Sequence, residues 1–377
     1  MIAFKFRLYP SKDQQSKLWR HACKLNWLYN LFLNQKITAY EKDKTSLSRC
    51  DLQEKLVELK QTDLEMKEIH SQVLQQVPFR LDRTYSDFFK RGFGFPNFRS
   101  CRNFYSICYP QSGFSIQNNI FKTKIYGEIK FDKHRKIQGN VKTVTIKCES
   151  KNKWYICIVT DFERPKSSPK GIIGIDVGIT NLAALSNGEV IKNKTHAKYF
   201  DKIINKIKSR RDKNCQKRSR KFRYLSQVTQ RLYGVKNRKI SDFQHKLSKS
   251  LSCQFDTIVC EDLNLKQMSE GVATGLNREL RNSSLGSFIS KLEYKTKELL
   301  KVNPRNTTKT CSKCGHIQDI PLSKRIYICP ICGYEENRDV NAARNILSLG
   351  QAILSQVCSA DASLQEAYCF SCRWFTS

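Results

Sequence analysis

The chain has 377 residues, enough for two or three domains with a sizeable core. Lys and Arg number 67 against 34 Asp and Glu, a formal net charge of +33, and such a field favours a polyanion as partner. No run of about 18 apolar residues and no signal-peptide pattern is present, so no membrane role is expected and nucleic acid ranks ahead of an acidic membrane surface.

Residues 2–9 alternate apolar and polar before Pro10 and read as a strand. Ser11 then offers a helix N-cap, with Gln14 as its capping-box partner. Leu18, Ala22, Leu25, Tyr29 and Phe32 follow at helical spacing, and Leu52, Leu56 and Leu59 mark a second helix. A third pattern through Ile69, Val73 and Val77 is expected to stop at Pro78. These stripes read as core packing. Residues 92–98 (Gly-Phe-Gly-Phe-Pro-Asn-Phe) form a breaker-rich aromatic loop. Residues 103–160 turn to period two, as in Val144, Ile146, Cys148 and in Trp154, Ile156, Ile158, with turns at Gly113, Gly127 and Gly139. A small β-barrel is expected there, joined by the N-terminal strand, with the helices as an insertion; residues 165–169 read as a linker.

Residues 171–178 form a buried strand ending at Asp176, followed by a hairpin signature, Leu182–Leu185, Asn187-Gly188 and Val190-Ile191. Residues 202–249 hold 17 Lys and Arg against two Asp, again with helical spacing. Charges that dense have little internal pairing, so Arg210, Arg211, Lys217, Arg218, Arg220 and Lys221 are expected to meet phosphates rather than form only a solvated face. Residues 256–261 repeat the strand-then-acid pattern and end at Glu261. Beyond Gly350 no clear pattern emerges, and the lone Cys369/Cys372 pair reads as part of an unstructured tail.

Sixteen cysteines in a long Lys-rich chain point to a reducing cytosol rather than to disulfides. Cys148, Cys157, Cys253 and Cys260 read as small buried hydrophobes. Cys311-x2-Cys314 and Cys329-x2-Cys332 differ, for two such knuckles close a tetrahedral zinc shell. Gly315 and Gly333 each follow a knuckle, where a left-handed backbone turns amides toward sulfur. Four thiolates leave no open position, so this zinc is structural, and His316 falls outside the shell.

Asp176, Glu261 and Asp339 each also fit a turn former or a helix-dipole partner. Asp176 gains weight from Gly174 and Gly178, which leave space, and from polar Thr180-Asn181. Strand alternation separates Glu261 from Asp262, and Glu261 is taken as the ligand. Together the three carboxylates can hold two magnesium ions about 4 Å apart for phosphodiester hydrolysis.

The motifs 174–178 (Gly-Ile-Asp-Val-Gly), 261–264 (Glu-Asp-Leu-Asn), the cysteine pairs and 339–343 (Asp-Val-Asn-Ala-Ala) resemble, in order, those of the TnpB (OrfB) nucleases of insertion sequences, relatives of type V CRISPR effectors. The opening 6–10 (Phe-Arg-Leu-Tyr-Pro), Asn303-Pro304 and Leu285-Gly286 fit the same family, over about residues 1–350. Ser284 stands where a Trp commonly precedes that Leu-Gly step. The resemblance implies an α/β plus β-barrel architecture. Residues 1–10 and 93–168 would form a wedge-type barrel, 11–92 an inserted helical recognition bundle, 169–305 and 334–350 an RNase H-like RuvC domain, 306–333 the zinc ribbon and 351–377 a tail. It further implies a monomer with one guide RNA from a transposon end, double-stranded target DNA with a short adjacent motif, and cleavage by Asp176, Glu261 and Asp339. An unguided transposase or resolvase, and a nuclease-inactive regulator, are the competing expectations.

Overall fold

The alternating N-terminus forms β1 (Ile2–Tyr9), which buries Phe4, Phe6 and Leu8 on one face. The structure, a computed structural model, describes residues 1–101, 106–149, 153–163, 171–193, 196–264, 267–269, 274–321 and 324–372. The chain divides into two units, Met1–Arg164 and Pro165–Ser377; the expected linker at 165–169 lies outside the described residues.

In the first unit Ser11 and Gln14 close the capping box of α1 (Lys12–Asp43). The whole expected stripe from Leu18 to Phe32 is buried. Next come α2 (Arg49–Thr62), α3 (Leu64–Glu68) and α4 (Ser71–Arg91). Contrary to expectation, α4 runs through Pro78. Pro78 is buried with Val73, Leu74, Val77 and Leu81, so packing of this face outweighs the lost backbone hydrogen bond. The strands β2 (Ile107–Tyr109), β3 (Ser115–Gln117), β4 (Ile120–Thr123), β5 (Gly127–Asp132), β6 (Val141–Glu149) and β7 (Lys153–Thr160) join β1 in one antiparallel sheet, ordered β2-β6-β7-β1-β5-β4-β3. β1 thus lies mid-sheet, with Phe6 opposite Ile156. The helices between β1 and β2 share one core with the sheet, in which Leu25 and Phe32 join Phe6, Trp154 and Ile158.

The second unit contains β8 (Ile172–Asp176), β9 (Asn181–Leu185), β10 (Val190–Lys192), α5 (His196–Asn214), α6 (Arg220–Gln254), β11 (Thr257–Glu261), α7 (Thr274–Ser283), α8 (Leu285–Glu293), β12 (Glu298–Val302), β13 (Ile326–Ile328), β14 (Glu335–Asn337) and α9 (Arg338–Cys372). Its five-stranded sheet runs β10-β9-β8-β11-β12; the first three pair antiparallel, while β8, β11 and β12 are parallel. Parallel strands are covered on both faces, which is why Ile173, Ile175, Ile258, Val259 and Cys260 are all buried. Cys260 is the buried thiol expected, whereas Cys148 and Cys157 are half-buried and Cys253 is exposed. Cys253 belongs to α6, not to a strand, and faces outward. α9 continues through Cys372, into the segment whose sequence shows no pattern; the side chains of Cys369 and Cys372 and residues 373–377 lie outside those described.

Helix α9 packs on β8 and β11, and two glycines permit it. A β-carbon on Gly174 would meet the Ala343 carbonyl oxygen at 2.2 Å, and one on Gly350 would meet Val259 Cγ2 at 2.5 Å. Gly174 therefore leaves room for a helix backbone, not for open space beside Asp176.

Candidate carboxylate and cysteine sites

Ile175 is opposite Cys260 in the parallel register, so the next pair, Asp176 and Glu261, ends both strands at one sheet edge. Side chains alternate along a strand, which puts Asp176 on the face of Gly174, the face that α9 covers. Val259 and Glu261 share that face on β11. Asp339 opens α9 and completes the group. Asn337 caps the helix, its Oδ1 accepting from the amides of Asp339 (3.0 Å) and Val340 (3.4 Å). Asn181 Nδ2, at the start of β9, donates to Asp339 Oδ2 (2.8 Å), and Arg338 Nε lies 3.7 Å from Oδ1. The polar neighbour expected beside Asp176 therefore serves Asp339. Asp262 is exposed, with its amide bonded to the Val302 carbonyl (2.8 Å).

Asp176 responds to the other two acids. Asp176 is pushed up to about 7, first by burial and then by the charges of Glu261 and Asp339, against the opposing pull of Arg338 and the Val177 amide. Burial also raises Glu261, while the Thr307 hydroxyl, which donates to Glu261 Oε1, opposes the shift. Asp176 keeps a solvent-facing edge, so it is crowded by protein yet accessible. Carboxylates held this way repel without a cation, and oxygen donors suit magnesium. They are spaced more widely than the cysteines. Among the described residues, only Cys311, Cys314, Cys329 and Cys332 form a His/Cys/Asp/Glu group with all ligand atoms within 4.8 Å of one another.

In that cluster Cys311 Sγ lies 3.7 Å from Cys332 Sγ and Cys314 Sγ lies 3.5 Å from Cys329 Sγ. Gly315 and Gly333 have φ of 76° and 64°. Their amides close the knuckles onto the carbonyls of Cys311 (2.9 Å) and Cys329 (3.1 Å). The Cys332 amide, aided by that of Ile331 and opposed by burial, draws Cys329 down, while Cys314, against the pull of the His316 amide, is pushed up by burial and by the other three cysteines. Thiolate formation is the condition for binding zinc, so sulfur chemistry and geometry both fit that ion. The second knuckle is the tip of the β13–β14 hairpin, in which Ile328 pairs with Glu335. The hairpin passes without a linker into α9 and Asp339.

Of the six basic residues singled out, Arg210, Lys217, Arg218, Arg220 and Lys221 are exposed around the α5–α6 connection. Arg211 is occupied: it pairs with Asp212 (2.8 Å), donates to Ser226 Oγ (3.3 Å) and lies over the Phe222 ring. It braces α5 against α6. In the first unit, Arg80, Arg83, Arg99 and Lys147 line a cavity of about 590 Å³, which also holds Asp87 and Glu149. Sequence reasoning missed Thr307, Asn337 and Arg338. Asn337 carried a signal, an Asn directly ahead of a helical pattern.

Family models match in three places: residues 1–45 as a helix-turn-helix domain, 146–271 as "Probable transposase" and 286–346 as "Cas12f1-like, TNB domain". Residues 1–45 themselves form one strand and one 32-residue helix. The Cas12f1 chain of a solved Cas12f1–sgRNA–target DNA complex superimposes with a TM-score of 0.56 at 15% identity, covering 92% of this chain and 98% of that one. The fold is thus Cas12f-like, with a TNB domain and a four-cysteine cluster. In sequence, the Escherichia coli K12 protein "Putative RNA-guided DNA endonuclease InsQ" is 32% identical over 94% of this chain and 93% of its own length. A Streptomyces pristinaespiralis "Putative RNA-guided DNA endonuclease" is 29% identical over 93% and 89%. The chain belongs to the TnpB (OrfB) family of insertion-sequence proteins.

Proposed function

We propose that this protein is an RNA-guided DNA endonuclease that takes its guide from a transposon end and hydrolyses paired target DNA. The observation that carries the reading is the convergence of Asp176, Glu261 and Asp339 from two parallel strand ends and a helix start, where burial and then the neighbouring acids raise Asp176. The naming of InsQ as such an enzyme, at 32% identity over nearly the full length of both chains, supports it. In this reading the second unit is an RNase H-like RuvC nuclease interrupted by a zinc ribbon. The first unit is a wedge-type barrel with an inserted helical recognition bundle, whose Arg80, Arg83 and Lys147 face a cavity suited to phosphates.

Asp176, Glu261 and Asp339 would hold magnesium, two ions in our reading, and the four cysteines a structural zinc. Magnesium so bound supplies positive charge at the scissile phosphate and favours an ionised attacking water. The protein's part is to hold the three carboxylates in place, with Asn181 orienting Asp339 and Thr307 bonded to Glu261. Lys217, Arg218, Arg220 and Lys221 would follow the backbone of the guide–target duplex by charge and shape. We further propose a cytoplasmic monomer carrying one RNA and reading a short motif beside the target.

The test is purification followed by sequencing of bound RNA, then cleavage with that RNA in magnesium or EDTA. The expected result is transposon-end RNA and magnesium-dependent cleavage, which Asp176→Ala abolishes while RNA and target binding persist. Protein that carries no RNA and cuts nothing when given a transposon-end transcript sinks the guided reading in favour of an unguided transposase or resolvase. Equal cleavage by Asp176→Ala removes the carboxylates from the chemistry.

A further inference from the structure

The loop from β12 to the first cysteine knuckle touches Glu261. Thr307, 3% exposed, donates its hydroxyl to Glu261 Oε1, with the Pro304 carbonyl as its other acceptor at 3.1 Å. An ionised carboxylate is the stronger acceptor of the two. The loop backbone is braced locally: Asn303 Oδ1 accepts from the Arg305 amide (3.0 Å), and Thr310 N donates to Asn306 O (3.0 Å).

Helix α9 braces it from outside. Asn345 Nδ2 donates to the carbonyls of Thr307 (2.8 Å) and Thr310 (2.7 Å), which engages both of its N–H bonds. Asn341 is fully buried. It donates to the same Thr310 carbonyl (2.8 Å) and accepts from the Ser312 amide (2.9 Å), inside the first knuckle. Both lone pairs of the Thr310 carbonyl are thereby used. A continuous set of hydrogen bonds joins the cysteine ribbon to Glu261, on the helix that also carries Asp339.

We infer that Thr307 is a positioning residue for Glu261, and that the ribbon, through Asn341 and Asn345, holds the Thr307 hydroxyl on the carboxylate. The inference rests on the nuclease reading above. A glutamate at a strand end has three side-chain torsions to fix before it can serve a cation. Thr307 fixes its far end. Because α9 pins the loop and bears Asp339, Glu261 and Asp339 are set by one element and cannot drift independently. The ribbon then acts on the carboxylate site through bonds traceable residue by residue, without touching the reacting phosphate.

Thr307→Val removes the hydroxyl and keeps the branched shape. Partners that orient metal ligands are commonly worth about 10- to 100-fold in affinity or activity. In guide-loaded protein, single-turnover cleavage is expected to fall by that order, with unchanged guide and target binding and a raised half-saturating magnesium concentration. Thr307→Ser should restore both. Binding is read separately by Mn²⁺ titration with paramagnetic resonance, using Asp176→Ala as baseline; Val should weaken it about tenfold and Ser should not. A folded Thr307→Val that binds Mn²⁺ and cleaves like the parent overturns the inference. If Thr307→Val fails to fold, Asn345→Ala carries the test, with the same loss of Mn²⁺ affinity expected and parent-like binding overturning the idea. Glu261→Gln in the same cleavage assay keeps the two levels apart. If it cuts normally, Glu261 is no part of the cutting site and the carboxylate reading fails; if it is dead while Thr307→Val is normal, only the positioning role fails.

Discussion

Gly174→Ala adds one methyl group where α9 crosses β8. That carbon would sit 2.2 Å from Ala343 O, 2.7 Å from Leu347 N and 2.8 Å from Leu347 Cβ. Carbon–oxygen contacts settle near roughly 3.3 Å, so the helix must retreat by about 1 Å. Two of the three atoms are backbone, and no rotamer change relieves them. Overpacking a core costs about 1–3 kcal/mol; with rigid neighbours we expect about 3 kcal/mol. The retreat also carries Asp339 away from Asp176, and a misplacement of about 1 Å can cost about 100-fold in rate. Urea unfolding reads the first effect and single-turnover cleavage the second. Gly94→Ala, with nothing within 4 Å, is the matched control and should change neither. A Gly174→Ala protein as stable and as fast as the parent would refute the claim that close helix–strand approach sets the site.

Asp176 in the folded state holds its proton up to about pH 7, whereas unfolded Asp releases it near 3.9. The metal-free protein therefore loses stability from this group as pH rises from about 4 to 7, by up to about 4 kcal/mol, and is flat above. In EDTA, Asp176→Asn should outlast the parent by a margin that grows across that window; a pH-independent margin would contradict the assignment. Magnesium affinity should rise over the same range, because binding needs the ionised form. Cys314→Ser should lose zinc by metal analysis and expose residues 306–337 to protease, since structural zinc can be worth on the order of 10 kcal/mol; a zinc-free variant that stays folded and fully active contradicts the structural role. Lys217→Glu with Arg220→Glu should weaken RNA binding and reduce its salt dependence, about one unit of slope for each phosphate left without its cation. Arg211→Gln should instead lower thermal stability, because it severs the bonds to Asp212 and Ser226.

The strand-end acids were legible because doubly covered parallel strands read as unbroken apolar runs, and Asp176 and Glu261 interrupt those runs. The cysteine knuckles were legible from spacing, and the Ser11 cap from local chemistry. What escaped depends on partners distant in sequence. Glu261 meets Thr307 across 46 positions, and no periodicity reveals such a pairing. Gly174 read as room beside an acid because the sequence does not reveal that a helix backbone fills the space. Charge counting grouped Arg211 with its neighbours, although its stacking on Phe222 and its pairing with Asp212 set it apart. Pro78 misled for a related reason: burial of the surrounding face decides whether a helix survives its proline, and burial is a tertiary property.

The direct passage from β14 into α9 has a consequence for length. Asn337 ends the strand and Arg338 starts the helix, so no slack separates the hairpin from Asp339. An α-helix turns once in about 3.6 residues. One residue added at this junction would turn the hairpin about 100° around the axis, because packing on Gly174 and Val259 holds the phase of the helix itself. The number of residues between Cys332 and Asp339 thus sets the angle at which the cysteine ribbon meets the helix. Peptides grafted into this region should be placed away from that stretch, because a change of length there would turn the ribbon out of register with Asn341 and Asn345 while every cysteine and carboxylate is still encoded.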